Sequence, residues 1–358
     1  MPDRTIARPK GRSHARYLST FLALVLAGCA SHGSHTNSQA ALPEWERAHV
    51  AAVAAYQAGN YTQSAEHARL AHQAVVATLG PQTDEAAGVL SMLAAAELAN
   101  GRHAEAAEGF EASLRILRAV DEPQARDITG ALNNLGELYR QQDELDRALP
   151  YFEEAHATSE AAFGATAIES ARTRASLAMI RHQLGHLDQA QRDYATALEL
   201  MDVAGAAPGD KARVRANQAD LLARMGDTAA ARAALEDVLA IEEAHLPADH
   251  PNLAYTLNSL AVVADAQKQH AEALTFYERA LAIRRATLPP EHPALAVILG
   301  NMAGTYADMG NTSEARARYV EAIRILRSGS GSGSGGGGGG GNQHPDLQAY
   351  EAGLRALD

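Results

Sequence analysis

The sequence predicts an all-α protein built as an array of similar helical hairpins. Three observations predict it. A helix-turn-helix pattern recurs at nearly constant spacing from Glu44 to Leu326, and a period of this size is the signature of stacked supersecondary units. Small and large residues fall in fixed columns within that pattern, at helical spacing. Alanine and leucine are plentiful, aromatics are 5% and charged residues 21% of the 358 residues, a composition suited to helices in close contact. That length is enough for two average domains or one extended array.

Net charge is -12, which argues against general nucleic-acid binding. Cys29 is the only cysteine. An internal disulfide and a cysteine-rich metal site are therefore excluded.

Residues 1–28 have the layout of an export signal. Arg4, Arg8, Lys10, Arg12 and Arg16 form a basic region, and Phe21 to Leu26 is a short apolar core. That core is far below the ~20 residues that span a bilayer. Leu26-Ala27-Gly28-Cys29 follows and resembles the lipobox of bacterial lipoproteins. The resemblance implies that Cys29 is lipidated and becomes the first residue after cleavage. An ordinary cleaved signal, or an uncleaved anchor, with a chance cysteine stays open. Loss of residues 1–28 leaves 26 Lys+Arg against 42 Asp+Glu, a net charge of -16. The expected location is the cell envelope. Ala30 is not the aspartate that the resemblance links to inner-membrane retention, so the outer membrane facing the periplasm is expected, reached through the lipid anchor alone. The small polar run over 29–43 reads as a flexible tether. His32 and His35 in it read as solvated.

The array spans 44–327. Its turns fall at Gly59, Gly101, Asp143, Gly185, Gly226, Lys268 and Gly310, spaced 42, 42, 42, 41, 42 and 42 residues. Glycine suits a turn that needs positive φ, so the turns at Asp143 and Lys268 are expected to be either adjusted or slightly strained. Seven residues before each turn stand Ala52, Ala94, Gly136, Ala178, Ala219, Ala261 and Ala303. Five after stand Ser64, Ala106, Ala148, Ala190, Ala231, Ala273 and Ala315. Small residues at both places let the two helices of a hairpin approach closely. Nine after come Ala68, Phe110, Phe152, Tyr194, Leu235, Tyr277 and Tyr319, mostly large plugs.

These columns resemble the tetratricopeptide repeat (TPR), here in a 42-residue form similar to that of kinesin light chains. Leu132-Asn133-Asn134-Leu135-Gly136 and Tyr277-Glu278-Arg279-Ala280-Leu281 carry that likeness. The resemblance implies a right-handed α-solenoid of about seven units, with first helices lining a concave face, and a role in binding proteins or peptides.

Residues 328–343 are a Gly/Ser-rich insertion, flexible by composition. His292 to His344 is 52 residues where His250 to His292 is 42, so ten residues are extra. Repeat slippage and an engineered linker both explain them. Residues 344–358 are expected to form a C-terminal helix that caps the array.

No catalytic motif is present: HExxH, GxSxG, a P-loop and a zinc-spaced Cys/His set are all missing from the sequence. No catalytic residue, cofactor or metal is expected. The His-Pro pairs at His250, His292 and His344 recur at connectors and read as helix starts, with proline at the first position. The groove is the candidate site. Asn133, Asn134, Asn217, Asn258 and Asn301 match or neighbour the groove asparagines of the kinesin-light-chain type, and asparagine can pair with both N–H and C=O of an extended peptide. Arg140, Arg172 and Arg213 are placed toward the groove, where arginine could clamp an acidic segment or a C-terminus. The competing reading pairs these arginines with neighbours such as Glu137 and Asp220. The expected function is a lipid-tethered, non-enzymatic interaction scaffold in the envelope, serving an assembly or secretion machine. An accessory subunit of an envelope enzyme complex and a self-assembling structural subunit are the alternatives.

Overall fold

The computed structural model describes residues 42–120, 124–329 and 345–358. The export signal, Cys29, the tether up to residue 41 and the insertion from residue 330 lie outside the described residues, as does His344. Among the described residues there are fifteen α-helices and no strand. They form hairpins in chain order: α1 Glu44–Gln57 with α2 Tyr61–Thr78, α3 Asp84–Ala99 with α4 His103–Ala119, α5 Ala125–Gln141 with α6 Leu145–Phe163, and α7 Ile168–Leu184 with α8 Leu187–Val203. Then come α9 Pro208–Arg224 with α10 Thr228–His245, α11 Pro251–Ala266 with α12 His270–Thr287, α13 Pro293–Asp308 with α14 Thr312–Gly329, and α15 Pro345–Arg355 alone. Helix α14 thus runs two residues into the stretch assigned to the insertion. The chain divides into two compact units at Ala206/Ala207.

All seven turns share one geometry. Each turn residue has positive φ, from 65° at Asp143 and Lys268 to 89° at Gly226. The turn N–H bonds three residues back, as in Gly59 to Tyr56 (3.0 Å). The next N–H bonds five residues back, as in Asn60 to Ala55 and Gln269 to Ala264 (both 2.9 Å). This paired closure is the Schellman motif, which satisfies the last carbonyls of the first helix. Asp143 and Lys268 are the only non-glycine residues at positive φ among those described.

The small columns sit at the helix contacts. The residues five after each turn are fully buried. Gly136 shows the constraint most plainly: a Cβ there would lie 2.8 Å from the Phe152 ring. The plug of α6 rests directly on the backbone of α5.

Connectors behave as joinery. His250 and His292 are N-caps whose Nδ1 accepts from Asn252 and Ala294 N–H (both 3.2 Å), with proline opening each helix. Across hairpins, Arg232 of α10 donates to both oxygens of Glu272 in α12 (2.6 and 2.9 Å) and to Gln269 (2.6 Å). That bond holds the Glu272 carboxyl below its ordinary range.

Helix α15 occupies the place of an eighth first helix. Pro345 opens it as Pro251 and Pro293 open theirs, and Leu347 is buried like Leu253 and Leu295. Tyr350 fills the space that a side chain at Gly300 would need, and Tyr319 does the same at Gly353.

Candidate functional site

Within each compact unit the first helices stand beside one another: α1, α3 and α5 in one, α9, α11, α13 and α15 in the other. Their sides turned away from the second helices form an inner face. A helix advances about 100° per residue. Residues ten and three before a turn therefore lie within about 60° of the small column that meets the second helix. Those thirteen, nine and two before it lie more than about 100° away and form the inner face proper.

This geometry corrects the sequence expectation for three residues in the first unit. Asn133, ten before its turn, is 3% exposed, and its Nδ2 donates to Thr129 O (2.9 Å). Asn134 lies on the inner side but is covered, at 4% exposed. Arg140, three before its turn, is buried and gives Nε and Nη2 to the two oxygens of Glu137 (2.7 and 2.6 Å). Gln141 adds a bond to the same carboxylate (3.0 Å). The competing reading of Arg140, pairing with Glu137, is the arrangement found. The signal was in the sequence: ten before the turn, Ala175, Ala216 and Gly300 are small, as a contact column requires.

Arg172 of α7 is exposed in the first unit, and Arg213 of α9 is half-buried in the second. In the second unit the polar inner face is best formed. Asn217 and Asn301, nine before their turns, lie on it, and Asn258, ten before its turn in the contact column, borders it; all three are half-buried. Asn301 Nδ2 donates to Asn258 Oδ1 across successive first helices (3.4 Å), which leaves each amide with unspent donors and acceptors. Asp265, three before its turn and so on the contact side, accepts from His270 Nδ1 (2.8 Å). Among the described residues no group of three His, Cys, Asp or Glu is placed to hold a metal ion. No helix among them is long and apolar enough to cross a membrane.

Sequence reading missed one ionic network. In the first unit His156, Glu160 and Glu153 of α6 meet Thr173, Arg174 and Arg181 of α7 and Asp193 of α8. Its members are far apart in sequence and only the packing joins them.

The tetratricopeptide repeat model matches residues 127–202, 210–286 and 254–328. No curated protein matches in sequence. Among solved structures, the kinesin light chain nearly identical TPR-like repeats of Podosopora anserina are 20% identical, with TM-score 0.50, over 60% of this chain and all of that one. The apo form of RapI gives TM-score 0.60 at 12% identity, over 79% of this chain and 98% of that one. Aspartyl phosphate phosphatase F from Bacillus subtilis gives 0.52 at 17%, over 67% and 59%. These structural likenesses bear on the fold. With the family model matched over more than half of its residues, the chain belongs to the tetratricopeptide repeat family.

Proposed function

We propose that this protein is a lipid-anchored repeat scaffold of the bacterial cell envelope, and that it holds an extended protein segment on the inner face of its first helices. The repeats make it a protein-interaction scaffold. The Asn258–Asn301 pair carries the finer reading: two amides on successive helices are linked to each other and half-buried. They keep capacity to bond a peptide backbone without demanding one sequence. Arg213 of α9 supplies the cationic chemistry for an acidic segment or a C-terminus beside these amides, and Arg172 offers the same chemistry within its own unit. Burial of Arg140 against Glu137 moves the weight of the site from α5 to α9, α11 and α13. Support for the anchor comes from the lipobox-like Leu26-Ala27-Gly28-Cys29. We read the protein as a binder, not a catalyst.

The test uses the protein lacking residues 1–28, with Cys29→Ser, as bait in envelope extracts. The wild-type face is compared with Asn258→Ala/Asn301→Ala. We expect a protein retained by the first and lost at least about tenfold by the second, the loss of about 1.4 kcal/mol of binding. Equal retention by both baits, with unchanged circular dichroism, would overturn the reading.

A further inference from the structure

His156 is buried where the third hairpin meets the fourth, and its surroundings define what its two nitrogens do. Nδ1 lies 3.1 Å from Thr173 Oγ1. The single hydrogen of that hydroxyl is directed to Ser170 O (3.0 Å), with Glu169 O at 3.3 Å. Thr173 therefore accepts from His156, and the proton of the neutral ring sits on Nδ1. Nε2 is left with a lone pair facing Glu160 Oε1 at 3.4 Å. A lone pair against a carboxylate is an unfavourable contact that a proton converts into a charge-assisted bond.

Glu160 is already in use. It accepts from Arg174 Nη2 of α7 (2.8 Å), a bond that crosses from one hairpin to the next. Arg174 has a second carboxylate within reach, Asp193 of α8, at 3.5 Å. Asp193 in turn accepts from Arg181 (2.7 Å), which also reaches Glu153 (3.2 Å). Around the ring stand the carboxylates Glu160 and Asp193 and the guanidiniums Arg174 and Arg181, with Glu153 joined to the set through Arg181. Glu169 of α7 is turned to Arg126 of α5 (2.8 Å). The set carries one negative charge more than positive, the complement of an imidazolium.

We propose that His156 makes the joint between the third and fourth hairpins acid-responsive. Proton uptake from solvent at Nε2 draws Glu160 into a bond within α6. Arg174 then turns to Asp193, inside the fourth hairpin. One cross-hairpin tie between α6 and α7 is exchanged for ties within each hairpin, Arg181–Glu153 and His156–Thr173 remain, and α7 loosens on α6. Burial holds the ring's proton affinity below the ordinary 6.5, with Arg174 and Arg181 opposing uptake and Glu160 and Asp193 favouring it. The neutral form is therefore the folded form at neutral pH, and the change falls on the acid side of 6.5.

The experiment follows the full-length protein by imidazole NMR and by amide exchange, corrected for the intrinsic pH dependence of exchange. We expect His156 to titrate below 6.5, and Glu160→Gln to move that midpoint lower still. Exchange in α7 should accelerate about tenfold from about pH 7.5 to about pH 5 in wild type, and not in His156→Gln. A midpoint at or above 6.5, or equal acid acceleration in His156→Gln, overturns the proposal. If His156→Gln does not fold, Glu160→Gln decides alone. Its α7 must exchange fast at neutral pH and no faster in acid; acid acceleration that persists there overturns the proposal equally.

Discussion

Asp143 and Lys268 hold the left-handed backbone that five glycines hold at the other turns. An L-residue in this region costs roughly 1–2 kcal/mol, and glycine escapes that steric cost. Asp143→Gly and Lys268→Gly should each stabilise the protein by about 1 kcal/mol, seen as a higher urea midpoint with unchanged slope. An unchanged or lower midpoint would mean that side-chain bonds of Asp143 or Lys268 outweigh the strain. This strain was legible in the sequence, because the turn column alone names both residues. The inner-face residues were legible only in part. Periodicity gave the helix, but the choice between columns nine and ten before the turn needs a rotation that spacing leaves loose, and Asn133 fell on the covered side. His292 offers a second residue-level test. Its Nδ1 caps α13, and burial, with Arg284 nearby, lowers its proton affinity below 6.5. The folded state therefore prefers the neutral ring. Its contribution is complete above 6.5 and is lost progressively as pH falls from there through the lower folded-state value. His292→Asn keeps a capping side chain that does not titrate, so its urea midpoint should fall less between about pH 7.5 and about pH 5 than that of wild type.

At the scale of the element, the hairpin is a lock of small against large. Gly136 under Phe152 is its tightest instance, with ring atoms from 2.8 to 3.0 Å of where a Cβ would stand. Gly136→Ala trades better helix propensity for a clash against a packed ring. The clash should win, at a cost of about 1–3 kcal/mol, because Phe152 is 3% exposed and has little room to turn. Calorimetry of the variant checks the sign; a raised melting temperature would show that α6 shifts freely. The columns of small residues and large plugs made these contacts readable from the sequence alone. The ties between hairpins were not readable. Arg232 reaches Glu272 across 40 residues and Arg174 reaches Glu160 across 14. Neither pair follows the repeat columns, so only the packed helices reveal them.

For the whole molecule, the account rests on stacking. No hairpin can bury its apolar face alone, so each draws stability from its neighbours. Helix α15 is a half unit without a second helix among the described residues. Its outer positions Gln348, Ala352 and Arg355 are exposed, and Arg355 stands where earlier first helices carry a small residue such as Ala303. That arginine keeps this side of α15 solvated. What each unit presents is the inner face of its own first helices, and the central claim is that a partner protein lies on that of α9, α11 and α13. Site-specific photo-crosslinking in intact cells tests this most directly, with the crosslinker placed at Ser259 on the inner face of α11 or at Thr275 on the exposed side of α12. The account predicts a discrete protein adduct from Ser259 and none from Thr275. Equal adducts from both positions, or an adduct from Thr275 alone, would contradict it.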